Sequence, residues 1–289
     1  MTTPESSRPS ENGYVLDPES ATEMARLLLQ DRLINETVGG LFPERENLDG
    51  IERILDIGCG PGGWALDLAR SYPKKEITGI DISERMLTYA KEQKKLHGLK
   101  NIWFESMDAR QRLGFADQSF DLVNIRAATG NISRHTWPLL LKECARITRP
   151  AGVVRVTEAD RFELTNSEPF EKYALYITRL FAKMEYGFAV DPYTFGMSPM
   201  LGKVLRDVGY RDIQMKSYAL DFSYGTALYS SQLQNVVTGF QLSQPRLIAQ
   251  GIAPQEELER LYESVVHDMT SPTFCGILYL FTFWGNLEQ

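Results

Sequence analysis

From Ile54 to Ala69 the chain reads ILDIGCGPGGWALDLA, and the six residues from Gly58 to Gly63 leave almost no side chain between a β-like run and a helix-like one. Glycine tolerates positive φ and lets another group approach the main chain, so such a turn suits a ligand lying against the backbone. The competing reading is a tight turn made only for packing, and the surroundings argue against it. Short β-like runs recur at 52–57, 76–80, 101–105, 120–125 and 153–158, with helix-like stretches at 64–71, 83–97 and 137–148 between them. That alternation predicts a parallel sheet covered on both faces, and such sheets bind ligands at the carboxyl ends of their strands.

A further helix is predicted over 17–40, where Ser20 and Glu23 have capping-box spacing, Met24, Leu27, Leu28 and Ile34 lie near one face, and Gly39-Gly40 ends the run. Beyond Glu158 the pattern changes. Residues 167–188 read as an inserted helix with Tyr173, Ile177, Leu180 and Met184 on one stripe, and a helix at 198–208 leads to a strand at 213–222. Residues 226–251 and 254–269 read as mostly helical, and CGILYLFTFWG closes the pattern as a strand over 275–284. No internal repeat or charged linker interrupts these late helices, which therefore read as a lid. The expected organisation is a flexible tail over 1–13 and a single domain over 14–289, with a helical segment at 14–50, a ligand-binding core at 51–160, lid insertions at 161–200 and 223–272, and closing elements at 201–222 and 273–289.

The glycines satisfy two fingerprints. Gly58-x-Gly60-x-x-Gly63 fits a dinucleotide-binding turn, with Asp81, 18 residues beyond Gly63, where a ribose-binding acid belongs. Gly58-x-Gly60-x-Gly62 preceded by Asp56 resembles instead the first motif of the class I S-adenosylmethionine-dependent methyltransferases. Both ligands carry a ribose, so Asp81 does not separate them. Asp56 does more, because a carboxylate beside the turn opposes a doubly charged pyrophosphate and favours a ligand bearing an ammonium and a sulfonium. Pro61 removes an N–H that a pyrophosphate would use. Asp108, in FESMDAR after the third strand, is placed to accept from an adenine amino group, and Met86 opens the helix after Asp81, where a flexible apolar side chain covers an adenine face.

LDIGCGPGGWALDLA, ITGIDISERMLTYAKE, SMDARQRLGFADQSFDLV and ECARITRPAGVVRVTE resemble, in order and spacing, the successive motifs of the class I S-adenosylmethionine-dependent methyltransferases, over roughly residues 51–158. The resemblance implies an α/β fold: a Rossmann-like, mostly parallel seven-stranded sheet with an antiparallel last strand, an N-terminal helix and helical lid insertions. It implies S-adenosylmethionine as cofactor and S-adenosylhomocysteine as product. Gly58, Gly60 and Gly62 would line the methionine part, Asp81 would bind the ribose, Asp108 and Ala109 would meet the adenine that Met86 covers, and Asp56, Cys59, Ile82 and Arg126 would belong to the same cofactor site. Met107 replaces a common glycine, and Ala151-Gly152 a common Gly-Gly turn; neither touches the central chemistry. The implied reaction is an in-line displacement in which an acceptor O, N or C attacks the methyl carbon, and the motifs supply no fixed catalytic residue.

Candidates for proton transfer come from position. His135 follows the fourth strand in RAATGNISRHTW, on the side where an acceptor arrives, and reads either as a general base or as the start of the next helix. His97 reads as a helix-end residue and His267 as a surface or packing residue. Glu158 ends the fifth strand at the same mouth, as a proton acceptor or as the structural partner of Arg126; Arg126 alternatively meets the cofactor carboxylate. Tyr14, Tyr173, Tyr176 and Tyr186, with Phe181, Phe188, Tyr193 and Phe195, are core residues at helical spacing or the wall of an apolar acceptor cavity. The second reading makes the acceptor a hydrophobic or aromatic metabolite, as in secondary metabolism.

With 38 acidic against 31 basic residues, net −7, the chain lacks the positive potential that gathers phosphate backbones, so nucleic acid is not the expected partner. Cys59, Cys144 and Cys275 have no metal-ligand spacing and read as free thiols in a reducing, cytoplasmic setting. MTTPESSRPSENG lacks a secretory pattern, and the longest apolar run, GILYLFTFWG, is about half the ~20 residues of a membrane span. Apolar stripes on the N-terminal and late helices are compatible with a homo-oligomer and equally with packing on the core. Two rival functions stay open at this level: a nicotinamide-dependent oxidoreductase, and a non-catalytic binding protein on the same fold.

Overall fold

The computed structural model describes residues 15–288. The expected tail and Tyr14 lie outside the described residues. The first element, α1 (Ala21–Val38), starts at Ser20, whose hydroxyl accepts the Glu23 N–H at 3.3 Å, and stops at Gly39 with φ 90°. Then strand and helix alternate: β1 (Arg53–Ile57), α2 (Gly63–Ser71), β2 (Glu76–Asp81), α3 (Glu84–Leu96), β3 (Ile102–Ser106), β4 (Phe120–Arg126), α4 (Thr136–Ile147) and β5 (Thr148–Ala159). Ser83 caps α3 as Ser20 caps α1, accepting the Met86 N–H at 3.2 Å.

After β5 come β6 (Leu164–Thr165), α5 (Glu168–Lys183), α6 (Ser198–Asp207), β7 (Tyr210–Asp221), α7 (Tyr229–Ala249), α8 (Gln255–Met269) and β8 (Gly276–Leu287). The main strands lie in the order β3-β2-β1-β4-β5-β8-β7, with the two-residue β6 also on β8. Strands β1 to β5 pair in parallel, and β8 is antiparallel to both β5 and β7. The expected sheet is therefore present, with the antiparallel last strand inserted between β5 and β7 and not at the edge.

Because side chains alternate across a strand, β1 sends Leu55 and Ile57 to one face and Ile54 and Asp56 to the other. The first face packs with Val123, Ile125, Val154 and Val156 against Trp137, Leu140 and Leu141 of α4 and Leu201 and Leu205 of α6. The second packs with Ile77, Ile102 and Leu122 against Trp64, Leu66 and Leu68 of α2 and Leu87 of α3. Each such buried side chain contributes about 1.5–3 kcal/mol. A third cluster joins Leu33 of α1 to Phe170, Tyr173 and Ile177 of α5, Val236 and Phe240 of α7, and Leu258 and Val265 of α8.

Two details depart from expectation. The helix predicted to 188 ends at Lys183, because Glu185 at φ 60° and Gly187 at φ 71° turn the chain so that Tyr186 bridges to Ser133. Strand β5 begins well before 153, and within it Ala151 adopts φ 62°, a left-handed conformation in the place of the missing first glycine. Among the described residues no helix is long and apolar enough to cross a membrane.

Candidate active site

The carboxyl ends of β1, β2, β3 and β4 open into one cleft, roofed by α1 through Leu27, Gln30, Asp31 and Ile34. Of the predicted cofactor residues, Asp56, Gly58, Cys59, Gly60, Asp81, Ile82, Met86, Asp108, Ala109 and Arg126 all line it. Gly58 has φ 69° with nothing within 4 Å of where a Cβ would stand, so bare backbone faces the cleft there. Gly62 does not line the cleft. It sits at the N-cap of α2, where a Cβ would lie 3.0 Å from Ala90 and Phe104, so its bareness serves the packing of turn against α3 and β3.

The turn is tied down by Asp81. One carboxylate oxygen accepts the Gly60 N–H and the other the Ser83 N–H, both at 2.9 Å. Burial raises the Asp81 pKa while these backbone donors pull the other way. With Ile82 as a third backbone donor, the carboxylate still has acceptor capacity for a further group. At the other end, Arg110 engages both oxygens of Asp108, Nε to Oδ1 and Nη2 to Oδ2 at 2.8 Å, and holds that carboxyl below its ordinary range.

Asp56 is buried and accepts from Asn124 Nδ2 at 2.7 Å; burial pushes its pKa up to about 7, opposed chiefly by the charge of Arg126. Arg126 does not meet Glu158. Its guanidinium donates to Asp31 and, at 2.9 Å, to Asn35 of α1, and lies 5.4 Å over the Trp64 ring. Asp31 also accepts the Trp64 N–H at 2.8 Å, its carboxylate occupying the space a Cβ on Gly63 would need. Asp31 was not legible as a site residue; its one signal is the helical spacing of Leu27, Asp31 and Ile34.

A second cavity adjoins the first, between α1, the loop after β4, the end of β5, α5 and α7. The two share Leu27, Gln30, Ile34, Ala127 and Asn131, and enclose about 1170 and 1220 Å³ of non-protein space with their mouths included. Phe162, Ile177, Phe181, Phe195, Val236 and Phe240 form the apolar wall, and Thr129, Asn131, Glu158 and Glu163 are among its polar groups. Glu158 accepts the Ala128 N–H at 2.6 Å and the Thr129 hydroxyl at 2.7 Å; burial pushes its pKa up to about 7. Deeper in the wall, the buried Glu163 accepts from Gln232 Nε2 at 2.5 Å.

The other sequence candidates are placed elsewhere. His135 stands at the start of α4 with a side chain 71 % exposed, 3.4 Å from Glu185, and lines neither cavity. Tyr173 stacks on Phe240 and spends its hydroxyl on the Phe240 carbonyl at 2.6 Å. Tyr176 donates to Glu257 at 2.7 Å, and Tyr186 packs edge-on against Phe181. None of these three tyrosines is in the cavity wall; phenylalanines from the same segment take that place. His97 is the C-cap residue of α3, as its position suggested.

Residues 54–152 match the family model described as a methyltransferase domain. The chain is 31 % identical over 183 residues to demethylmenaquinone methyltransferase of Geobacillus kaustophilus (strain HTA426), which covers 60 % of this chain and 77 % of that protein. The enzyme of the same name from Staphylococcus aureus (strain Newman) is 31 % identical over 177 residues, 57 % of this chain and 70 % of that one. Among solved structures, the YcgJ protein from Bacillus subtilis superposes with a TM-score of 0.58 at 17 % identity, over 88 % of this chain and 99 % of that chain. Haemonchus contortus phosphoethanolamine N-methyltransferase 2, solved with S-adenosyl-L-methionine, gives 0.53 at 19 % identity over 88 % of this chain and 53 % of that one. At these identities the two structures establish likeness of fold. Of the two ligand readings open at the glycine turn, the relatives select one: this chain belongs to the class I S-adenosylmethionine-dependent methyltransferases.

Proposed function

We propose that this methyltransferase acts on a hydrophobic or aromatic small molecule held in the second cavity, with Glu158 as the group that accepts its proton. The observation that carries this reading is the sharing of Leu27, Gln30, Ile34, Ala127 and Asn131 by the two cavities, which brings an acceptor and the cofactor cleft to a common boundary. The relatives are named for demethylmenaquinone, an acceptor in keeping with a wall of phenylalanines. The net charge of −7 and the apolar wall of the second cavity support a small molecule over a nucleic acid, and the unpaired thiols of Cys59, Cys144 and Cys275 support a cytoplasmic setting.

The residues of the cleft fit the cofactor. Bare backbone at Gly58 admits a ligand, the remaining acceptor capacity of Asp81 suits a ribose hydroxyl, and the carboxylate of Asp56 suits a cation. When bound, S-adenosylmethionine supplies an electrophilic methyl group on a sulfonium. Met86, buried to 1 % exposure, would cover the adenine, and Asp108 and Ala109 would hold its edge. The protein's further task is alignment: α1 roofs both cavities and, pinned through Asp31, limits the angles at which an acceptor meets the cleft. Glu158, at the polar side of the second cavity, takes a proton from an acceptor hydroxyl, its three donors from Ala128 and Thr129 stabilising the carboxylate beforehand.

The test is a panel of apolar ring compounds with labelled donor, followed by Phe181→Ala. The variant is expected to raise the acceptor KM at least tenfold while S-adenosylhomocysteine binds unchanged. An unchanged KM, or an equal loss of cofactor affinity, would remove the second cavity from consideration.

A further inference from the structure

A row of polar side chains crosses the sheet beneath the cofactor cleft. Asp56 on β1, Asn124 on β4 and Arg155 on β5 are successive register partners, so all three project to the face covered by α2. Their exposures are 4, 0 and 1 %, in the middle of a parallel sheet whose neighbouring rows are isoleucine, leucine and valine. Burying three polar side chains in such a place is costly unless each is satisfied by the next. They are: Asn124 Nδ2 donates to Asp56 at 2.7 Å, Arg155 Nη1 donates to Asn124 Oδ1 at 2.9 Å, and Arg155 Nε donates to the buried Glu44 at 2.6 Å.

The row has a direction. A guanidinium only donates, so Arg155 fixes the Asn124 amide with its oxygen toward β5 and its NH2 toward Asp56. Glu44 and the Phe42 ring, 5.7 Å from the guanidinium, hold Arg155 from the far side. Of the four residues only Asp56 lines the cleft. We propose that Asn124 and Arg155 are positioning residues that keep the Asp56 carboxylate ionised and aimed into the cleft, where it receives the cationic amino group of the cofactor. The inference rests on the assignment of Asp56 to that cation.

The groups facing Asp56 set the balance. Arg126 of β4 and Arg155 of β5 favour the carboxylate, while Asp31 of α1 opposes it, and Cys59 and Asp81 border the same turn. Burial already holds the Asp56 pKa near about 7, so removal of the Asn124 donor moves ionisation into the alkaline range. Asn124→Leu keeps the shape and removes the amide.

Calorimetry of S-adenosylhomocysteine binding from pH 6 to 8.5 reads the effect. The wild type is expected to gain affinity up to about pH 8 and then level, since one unit of displacement is a tenfold change. Asn124→Leu is expected to bind at least tenfold more weakly at pH 7 and to recover most of that loss by pH 8.5. Arg155→Met should move the profile in the same direction. A loss by the same factor at every pH, or no loss, would overturn the proposal, because a purely structural defect is not repaired by alkali. Should Asn124→Leu fail to fold, Asn124→Ser, shorter and unable to bridge to Asp56, gives the same readout. Asp56→Asn separates the two layers: unchanged binding by that variant refutes the role of Asp56 itself, whereas weak binding by it beside a wild-type profile for Asn124→Leu refutes only the positioning.

Discussion

Gly63→Ala tests how α1 is fastened over the cleft. Asp31 reaches from α1 to the start of α2, where one oxygen accepts the Trp64 N–H at 2.8 Å and the other accepts from Arg126. A Cβ on Gly63 overlaps that carboxylate and forces it out. A hydrogen bond to a charged group contributes about 1.5–3 kcal/mol, and a carboxylate at a helix N-terminus adds about 0.3–1 kcal/mol. Against this, alanine is the better helix residue by up to about 1 kcal/mol. The net expectation is a loss of about 1–3 kcal/mol, a fall in Tm of roughly 2–5 °C for a chain of this size. The cause is separable by a double-mutant cycle with Asp31→Ala. With no carboxylate to displace, Gly63→Ala should then be neutral or mildly stabilising. An equal loss in both backgrounds, measured by thermal or urea unfolding, would refute the idea that Asp31 is what demands a glycine at 63.

Glu158 gives a pH test with a definite sign. Its carboxyl has an ordinary pKa of 4.5 and is raised to about 7 in the folded protein, so between those values the folded state holds a proton that the unfolded chain has released. Stability therefore falls as pH rises through that window. Glu158→Gln should flatten the fall in part, the remainder coming from Asp56, Asp81 and Glu163, which burial also raises, and should slow methyl transfer at pH 8 by about 100-fold or more if Glu158 is the base. A stability profile that keeps its wild-type slope would deny that Glu158 is raised, and an unaltered rate would deny its role as base. Ala151→Gly relieves a left-handed alanine at φ 62° and should stabilise the protein by about 1 kcal/mol in urea unfolding; a loss of stability would mean the bend is held by something other than local backbone preference.

The lining of the cleft was largely readable in advance because its residues are local to strand ends. Once alternating strands and helices imply a parallel sheet, the residues after β1, β2, β3 and β4 must converge, and Asp56, Asp81, Asp108 and Arg126 occupy those ends. The glycine turn and the Ser83 cap are likewise settled within a few residues of chain. Other features had no local cause. Asp31 meets Trp64 only because α1 folds back over α2, and Asn124 meets Arg155 only because β4 and β5 take one particular register.

The segment after β5 shows the same division within a single helix. Helical spacing marks the apolar stripe of α5, but which aromatic faces the cavity depends on what α7 and α8 present to it. Tyr173 is held by the Phe240 carbonyl and Tyr176 by Glu257 of α8, which leaves Phe181, with no hydroxyl to satisfy, at the cavity wall. Glu158 lies at the predicted mouth, yet its partners are Ala128 and Thr129 and not Arg126, because α1 had already taken Arg126 through Asp31 and Asn35. Periodicity and turn chemistry act over a few residues and so are written into the chain order, whereas the partner of a polar side chain is chosen by whichever distant element packing brings within about 3 Å.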